Sequence, residues 1–283
     1  MFFATLASGS SGNAILVGAR GRGFLIDAGL PAARVLESLR RVGCGPEELE
    51  GIFVTHEHVD HIRGVGVLAR ACGLPVYATA GVWAAMAGAV GALPAACRMV
   101  LTDDTFALAG MNLTLVRTSH DSVESYGLLA RDGELTLGVA TDTGVITPDM
   151  RAKLRGCDAL IIEANHDGDM LWRGRYPRFL KKRVAGEFGH LSNTQAGEAL
   201  RDWIGENTQK VVLAHLSAEN NTPALALKTV VEMLRGHPVR QKCAQLKIRV
   251  APRHEPHELI VLGEERGSNT DGQRVRAAGA AGP

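Results

Sequence analysis

The N-terminal part of the chain alternates short apolar runs with small, polar breaks. FFATLA, NAILVGA and GFLIDAG are separated by SGSSG and RGRG, a pattern that predicts antiparallel strands joined by tight turns. The period then changes. In PAARVLESLRRVG, Val35, Leu36, Leu39 and Val42 recur at helical spacing and a glycine closes the segment, which predicts a helix with a C-terminal stop. GIFVT returns to strand character and runs straight into a cluster of histidines.

Further on, PVYAT predicts a strand and VWAAMAGAV a buried helix. Both lie in a stretch, Ala71 through Cys97, that holds no charged residue. It is long enough to span a bilayer, but Pro75, Pro94, several glycines and a mostly alanine apolar content argue against a membrane helix. The second half repeats the theme of the first. MNLTLVRTSH and SYGLLARDGELTLGVATDTG read as strands, the latter a pair joined by a DG turn, and a helix near MRAKLRG leads into the strand DALIIEA. A helix from Ser192 to about Ile204, the strand KVVLAHL, a helix from Pro223 to Leu234 and two closing strands, LKIRV and HELIVL, complete the pattern.

Strand runs with interleaved helices predict an α/β (α+β) fold in layers, with sheets packed on each other and helices outside. No internal linker divides residues 1–262, so a single domain is expected there. From Gly263 onward, GEERGSNTDGQRVRAAGAAGP has no apolar periodicity and is expected to be a disordered tail.

Composition narrows the function classes. The 283 residues are 46% hydrophobic and 22% charged, with net charge +1 and pI near 7.8. The chain as a whole therefore makes no electrostatic claim on nucleic acid or membrane, and any such claim must come from a local patch. Cys44, Cys72, Cys97, Cys157 and Cys243 are scattered and form no C-x-x-C pair, which argues against a disulfide framework and a thiolate zinc site and fits a reducing cytoplasm. The start, MFFATLASGSSGNA, lacks a basic segment ahead of its short apolar run and does not read as a signal peptide. A cytoplasmic protein is expected.

The richest chemistry lies in THEHVDHIRG, Thr55 to Gly64. In an extended segment residues two apart point the same way, so His56 and His58 can share one metal while Glu57 and Val59 face away. Asp60 and His61 follow at the start of the next helix and can serve a second. Catalytic zinc takes about three protein ligands and keeps an open position, so four candidates in six positions suggest two ions. Histidines often cap helices or bond within loops, but H-x-H-x-D-H directly after an apolar strand is a metal motif. The remaining ligands should end other strands. His120 closes MNLTLVRTSH, Asp142 follows LTLGVA, and His215 follows KVVLA. A carboxylate such as Asp142 can bridge two cations that activate one shared water.

With these residues in this order, the chain resembles the metallo-β-lactamase fold superfamily over essentially residues 1–262. The resemblance implies a four-layer αββα sandwich with metals at one edge. It implies that His56, His58 and His120 bind one ion, that Asp60, His61 and His215 bind the other, and that Asp142 binds both. SGSSGN, EANHD (163–167), GRYP (174–177), GHLSN (189–193) and AHLSAENN (214–221) are similar to the bacterial YycJ family, also called WalJ. That similarity implies a phosphodiesterase with 5′ to 3′ exonuclease activity on double-stranded DNA. One departure from nuclease relatives is the lack of a large nucleic-acid-clamping insertion.

Several further residues are candidates for the substrate. WRGRYPRFLKKR carries Arg173, Arg175, Arg178, Lys181, Lys182 and Arg183, and no acidic residue lies between Asp169 and Glu187. If the segment is helical from Tyr176, then Arg175, Arg178 and Lys182 share a face suited to phosphate oxygens, although charge runs are commonly solvated faces. His190 is a histidine beyond the seven ligands and can protonate a leaving oxygen. In related phosphodiesterases a histidine at a comparable place works with the motif aspartate, here Asp60. Asn193, in the same GHLSN, is a second substrate candidate, although Ser192 or Asn193 can also cap the following helix. Ser10 and Asn13 in SGSSGN lie in a turn able to approach a phosphate, and it reads equally well as a plain hairpin. His166 is a possible substrate contact, whereas His237, His254 and His257 are expected at the surface.

The expectation is thus a cytoplasmic binuclear phosphodiesterase, a DNA exonuclease using two divalent ions. Zinc and manganese suit these N and O ligands, and iron also fits. In the expected reaction a metal-bridging hydroxide attacks phosphorus and His190 protonates the departing oxygen. A hydrolase of small cyclic phosphodiesters or other small esters is the alternative within enzymes, and its mark is a closed pocket with the basic stripe pointing away. A non-catalytic metal-binding module that recognises DNA or a partner is the alternative of another class, and turnover of a generic phosphodiester separates it. A β-lactamase is disfavoured for want of an export signal. No membrane association is expected.

Overall fold

The apolar runs become strands that alternate their side chains between two cores. The computed structural model describes residues 1–236, 238 and 246–263. The first sheet contains β1 (Phe2–Ala7), β2 (Ala14–Ala19), β3 (Arg22–Ile26), β4 (Leu49–Phe53), β5 (Val76–Thr79), β6 (Arg98–Leu101) and the closing β14 (Ile260–Val261), in the order β14-β1-β2-β3-β4-β5-β6. The second contains β7 (Thr105–Leu108), β8 (Met111–Arg117), β9 (Tyr126–Asp132), β10 (Leu135–Ala140), β11 (Ala159–Glu163), β12 (Lys210–Ala214) and β13 (Lys247–Val250), in the order β13-β12-β11-β10-β9-β8-β7.

Period-two geometry sorts the side chains. Val17, Phe24 and Ile26 from one sheet meet Leu137, Val139, Ile161 and Val212 from the other in a central core. The intervening Leu16 and Leu25 turn outward, onto α1 (Ala32–Arg41), α3 (Val65–Cys72) and α4 (Ala80–Val90), through Val35, Leu39, Leu68 and Met86. On the far side Leu160, Ile162 and Leu213 meet α5 (Pro148–Leu154), α8 (Asn193–Trp203) and α9 (Pro223–Met233) through Leu154, Leu200, Trp203 and Val230. Strands apolar on both faces have a core on each side, and the result is the αββα sandwich.

Strand direction positions the site. β3 and β4 are parallel, as are β10, β11 and β12. β8 runs with β10, because both are antiparallel to β9. The carboxyl ends of these strands lead to Asp27, Thr55, Thr118, Asp142, Glu163 and His215, the edge at which open α/β sheets carry their ligands. Three short helices complete the rim: α2 (Val59–Ile62), α6 (Gly168–Arg173) and α7 (Arg178–Val184).

Several expectations need correction. β6 and β7 were not foreseen, because these edge strands are largely exposed and carry little apolar alternation. The helix expected to be buried, α4, buries only Val82, Trp83, Met86 and Val90, and its outer face is alanine and glycine, which can meet water without a charge. HELIVL pairs over only two residues, Ile260 and Val261, with β1. His257, expected at the surface, is buried, with its backbone N–H donating to the Thr5 carbonyl at 2.8 Å. His254 is exposed, as expected. His237, Cys243 and the tail from 264 lie outside the described residues. Among the described residues no helix is long and apolar enough to cross a membrane.

Candidate metal centre

The histidine motif leaves β4 extended and enters α2, with His58 at the helix N-cap in a β conformation. Backbone bonds weave this turn into two neighbouring loops. The Asn13 N–H donates to the Asp60 carbonyl at 2.8 Å, Ala28 to His61 at 2.9 Å and Gly64 to Ala28 at 2.7 Å. Packing there is so close that a Cβ on Gly29 would sit 1.6 Å from the Asp60 carbonyl oxygen, so only glycine fits.

Among the described residues four overlapping groups of potential ligands result. Atoms of His56, His58 and His120 lie within 4.8 Å of one another, as do atoms of Asp60, His61 and His215. Besides these two triads, the groups are His56, His61 and Asp142, and Asp142, Glu163, His190 and His215. Nε2 of His56 faces Nδ1 of His58 at 3.2 Å. Nε2 of His61 is 3.7 Å from Oδ2 of Asp60, and Nε2 of His215 is 3.8 Å from the same oxygen. Asp142 stands between the two triads, with Oδ2 3.4 Å from His61 Nε2 and Oδ1 4.0 Å from His120 Nε2.

The ring nitrogens that face away from this space are held by the protein. His56 Nδ1 pairs with Thr55 Oγ1 at 2.9 Å, His61 Nδ1 with Asp27 Oδ2 at 2.7 Å, His120 Nδ1 with the Gly189 carbonyl at 3.1 Å, and His215 Nδ1 with Glu163 Oε1 at 2.8 Å. Fixing one nitrogen of each ring aims the other inward, as surroundings do for metal-binding histidines. Asp142 Oδ2 and His215 Nε2 are buried and make no hydrogen bond. Buried polar atoms without partners are costly, and a divalent cation is the natural partner for an imidazole nitrogen and a carboxylate oxygen that converge. The clusters are consistent with a binuclear metal site, and the donor set fits the ions expected from the sequence.

Backbone strain collects at the same place. Asp27, Asp142 and His215 have φ of 61°, 56° and 55°, in the left-handed region that non-glycine residues seldom occupy. Each is the turn residue that bends the chain from a strand end across the site. Electrostatics among the protein groups is equally tense. Burial lowers His56 and His120, pushing them toward the neutral form that ligates. Burial also opposes charge on His61 and His215, but Asp142, with Asp27 for the first and with Asp60 and Glu163 for the second, raises both, His215 to about 10. Asp142 is held well below the carboxylate range, because His215 and His61 outweigh its burial.

The domain family described as "Beta-lactamase superfamily domain" matches residues 22–216. The chain belongs to this superfamily. Two relatives span most of its length. It is 36% identical over 235 residues to the Exodeoxyribonuclease YycJ of Bacillus anthracis, covering 83% of this chain and 89% of the relative. It is 37% identical over 237 residues to the Exodeoxyribonuclease WalJ of Streptococcus pneumoniae, covering 82% and 87%. The fold matches the metallo-beta-lactamase fold protein YhfI of Bacillus subtilis, with a TM-score of 0.67 at 17% identity over 91% of this chain and 99% of that one. It also matches Zn(2+)-bound PqqB of Methylobacterium extorquens, with a TM-score of 0.65 at 18% identity over 91% and 100%.

All seven residues expected as ligands fall in overlapping groups of converging donors, and the other candidates divide. His190 joins the site, with Nδ1 2.7 Å from Glu163 Oε1. Asn13 is buried, its Nδ2 3.3 Å from Asp60 Oδ2 and 3.1 Å from His61 Nε2, so its amide reaches the ligand side of the motif. Ser10 is exposed in the turn, while its neighbour Ser8 accepts the His215 backbone N–H at 2.7 Å. Asn193 is not available to a substrate as expected: it is buried and exchanges amide hydrogen bonds of 3.1 and 2.8 Å with Asn221. His166 is buried too, its backbone bridged to Ser192, and burial lowers it to about 4. Glu57 faces away from the ligands, with Oε1 accepting the Val123 N–H at 2.8 Å.

The basic segment lies beside the site but not as one helical stripe. Helix α7 begins at Arg178, so Arg175 precedes it. Arg178 and Lys182 are exposed, and Lys181 donates to the Trp172 carbonyl at 2.8 Å. Arg183 Nε donates to Asp121 Oδ2 at 2.5 Å, and Asp121 Oδ1 is 3.5 Å from His120 Nε2. Sequence reasoning missed Asp27, Glu163 and Asp121. Each follows or ends an apolar strand or adjoins an assigned histidine, and EANHD already contained Glu163.

Proposed function

We propose that the chain is a binuclear metal-dependent phosphodiesterase that degrades DNA as a 5′ to 3′ exonuclease acting at duplex ends in the cytoplasm. The observation that carries this reading is the Arg183–Asp121 pair, which joins the cationic helix α7 to the edge of the ligand cluster. A polyanion lying along Arg178 and Lys182 would bring a phosphodiester to the cleft. The exodeoxyribonuclease names of the two relatives support the same substrate.

In this reading His56, His58 and His120 hold one ion, Asp60, His61 and His215 the other, and Asp142 reaches both. Zinc or manganese suits the donor set, and iron fits it as well. The ions, when bound, polarise the phosphodiester and lower the pKa of a shared water. The protein does the rest. Glu163 accepts the Nδ1–H of His190, so the ring has a proton to give from Nε2 to the departing deoxyribose oxygen only as the imidazolium, whose charge the Glu163 carboxylate offsets. Asp60 and Asn13 hold the motif turn in register.

Digestion of end-labelled single- and double-stranded DNA by protein loaded with each metal tests the proposal. Stepwise release of nucleotides from 5′ ends is expected. A loaded protein that leaves DNA intact and hydrolyses a small cyclic phosphodiester would favour the small-ester alternative, and one that turns over neither would be a binding module.

A further inference from the structure

Among the described residues the exposed large aromatic side chains are Trp172, Phe179 and Phe188, at 53%, 74% and 60% exposure. The other large exposed hydrophobics are aliphatic or methionine. All three rings fall between His166 and His190, the stretch that also carries the six basic residues. No residue of helix α7 is fully buried, and only Leu180, Lys181 and Val184 are half-buried. A single exposed ring is ordinary, but three within one basic segment beside the ligand groups make that segment the candidate binding surface.

Their placement is specific. Phe179 and Arg183 are four apart on α7 and therefore share a face. Arg183 on that face reaches Asp121 beside His120, so Phe179 stands one helical turn from that contact. Phe188 lies in the turn between α7 and His190, which is closed by Gly189 N–H to the Gly186 carbonyl and His190 N–H to the Val184 carbonyl, both 2.9 Å. The next carbonyl, that of Gly189, holds His120. The bond from Lys181 to the Trp172 carbonyl ties α6 to the same bank.

We infer that Phe179 and Phe188 form a stacking platform for unpaired nucleobases, so that the strand entering the cleft is single-stranded over its last nucleotides. This rests on the nuclease reading above and names the form in which that substrate arrives. Cations alone suffice to hold a phosphate backbone, whereas a ring offers a π-face that any base can use regardless of sequence. Bases inside a duplex have both faces covered by their neighbours. An overhang or frayed end presents a free face, and aromatic side chains alternating with Arg178, Lys182 and Arg183 match its alternation of base and phosphate.

The test compares two single-stranded oligonucleotides with phosphorothioate linkages, which resist hydrolysis, one bearing normal terminal nucleotides and one abasic there. Binding is measured to the metal-loaded protein, its Phe179→Ala/Phe188→Ala double variant and a Phe179→Tyr/Phe188→Tyr variant. The parent should prefer the base-bearing strand by about 5- to 100-fold, the alanine variant should bind both equally, and the tyrosine variant should keep the preference. Equal binding of both strands by the parent, as an apolar face for a protein partner would give, overturns the platform. So does a preference that survives the alanine substitutions. Cleavage of end-labelled DNA by the same preparations separates the two readings. Cleavage without base dependence removes the platform alone, and base-dependent binding without any cleavage removes the nuclease and leaves the platform.

Discussion

Oε1 of Glu163 lies 2.7 Å from Nδ1 of His190. The same oxygen pairs with Nδ1 of His215 at 2.8 Å, and the other oxygen accepts the backbone N–H groups of Thr143 and Leu191 at 3.1 and 3.2 Å. Burial opposes this carboxylate, but His190 and His215 prevail and hold it at about 2. One buried charge therefore orients an imidazole proposed as ligand and another proposed as acid. Glu163→Gln keeps the size but turns an NH2 toward either the imidazoles or the backbone donors, and it should cost about 10–100-fold in metal affinity or activity. Metal titration and the DNA rate at saturating metal measure the two losses. Wild-type values for both would reduce Glu163 to a structural residue.

Much of this centre was legible in the sequence because its signals are local. The spacing of His56, His58, Asp60 and His61 fixes their common side, and His120, Asp142 and His215 each follow a strand. The orienting residues were not legible by the same means. Asp27 reaches His61 across 34 positions and Glu163 reaches His215 across 52, and no local spacing encodes a partner that distant. The core strands could be read from apolar content, but β6 and β7 could not, since edge strands need little of it. Asn193 misled because a polar residue beside a candidate acid such as His190 looks available until its amide is seen paired with Asn221.

Asp142 stands between the two ligand groups, near His61 with one oxygen and His120 with the other. Asp142→Ala should lower bound metal from about two ions per chain toward one or none, with activity falling in step. Elemental analysis of the purified variant decides this, and unchanged stoichiometry would remove Asp142 from the centre.

Protons compete with metal for His61 and His215. Both are raised from 6.5, His215 to about 10, so in the chelated protein they hold protons at neutral pH. Loading should release about two protons per chain, read by calorimetry in buffers of different ionisation enthalpy. A raised folded-state pKa stabilises fully below 6.5, and that contribution is lost as pH rises through about 10 for His215. The Tm of chelated protein should therefore fall over this window more steeply than that of loaded protein. A proton count near zero would mean these rings are already neutral.

Helix α7 is proposed to hold phosphates. Replacing Arg178, Lys181 and Lys182 together with glutamine should weaken DNA binding for every sequence and flatten its salt dependence by about one logarithmic unit for each phosphate that the helix no longer neutralises. Lys181 should contribute least, since it already donates to the Trp172 carbonyl. Binding curves that overlay the parent across several salt concentrations would make the helix a solvated face.

His190 separates acid from ligand. Its ring centroid is 5.0 Å from that of His120 and 5.1 Å from that of His215, and its Nδ1 is occupied by Glu163. A ligand replaced by alanine lowers metal occupancy, whereas a general acid replaced by alanine leaves metal in place and slows the chemical step by about 10²–10⁴-fold. The loss should depend on the leaving group. A deoxyribose alkoxide is strongly basic and needs its proton, while nitrophenolate is stable without one. His190→Ala should therefore damage DNA cleavage far more than hydrolysis of bis-nitrophenyl phosphate, with metal content unchanged. Equal losses on the two substrates would rule out proton donation, and lost metal would make His190 a ligand.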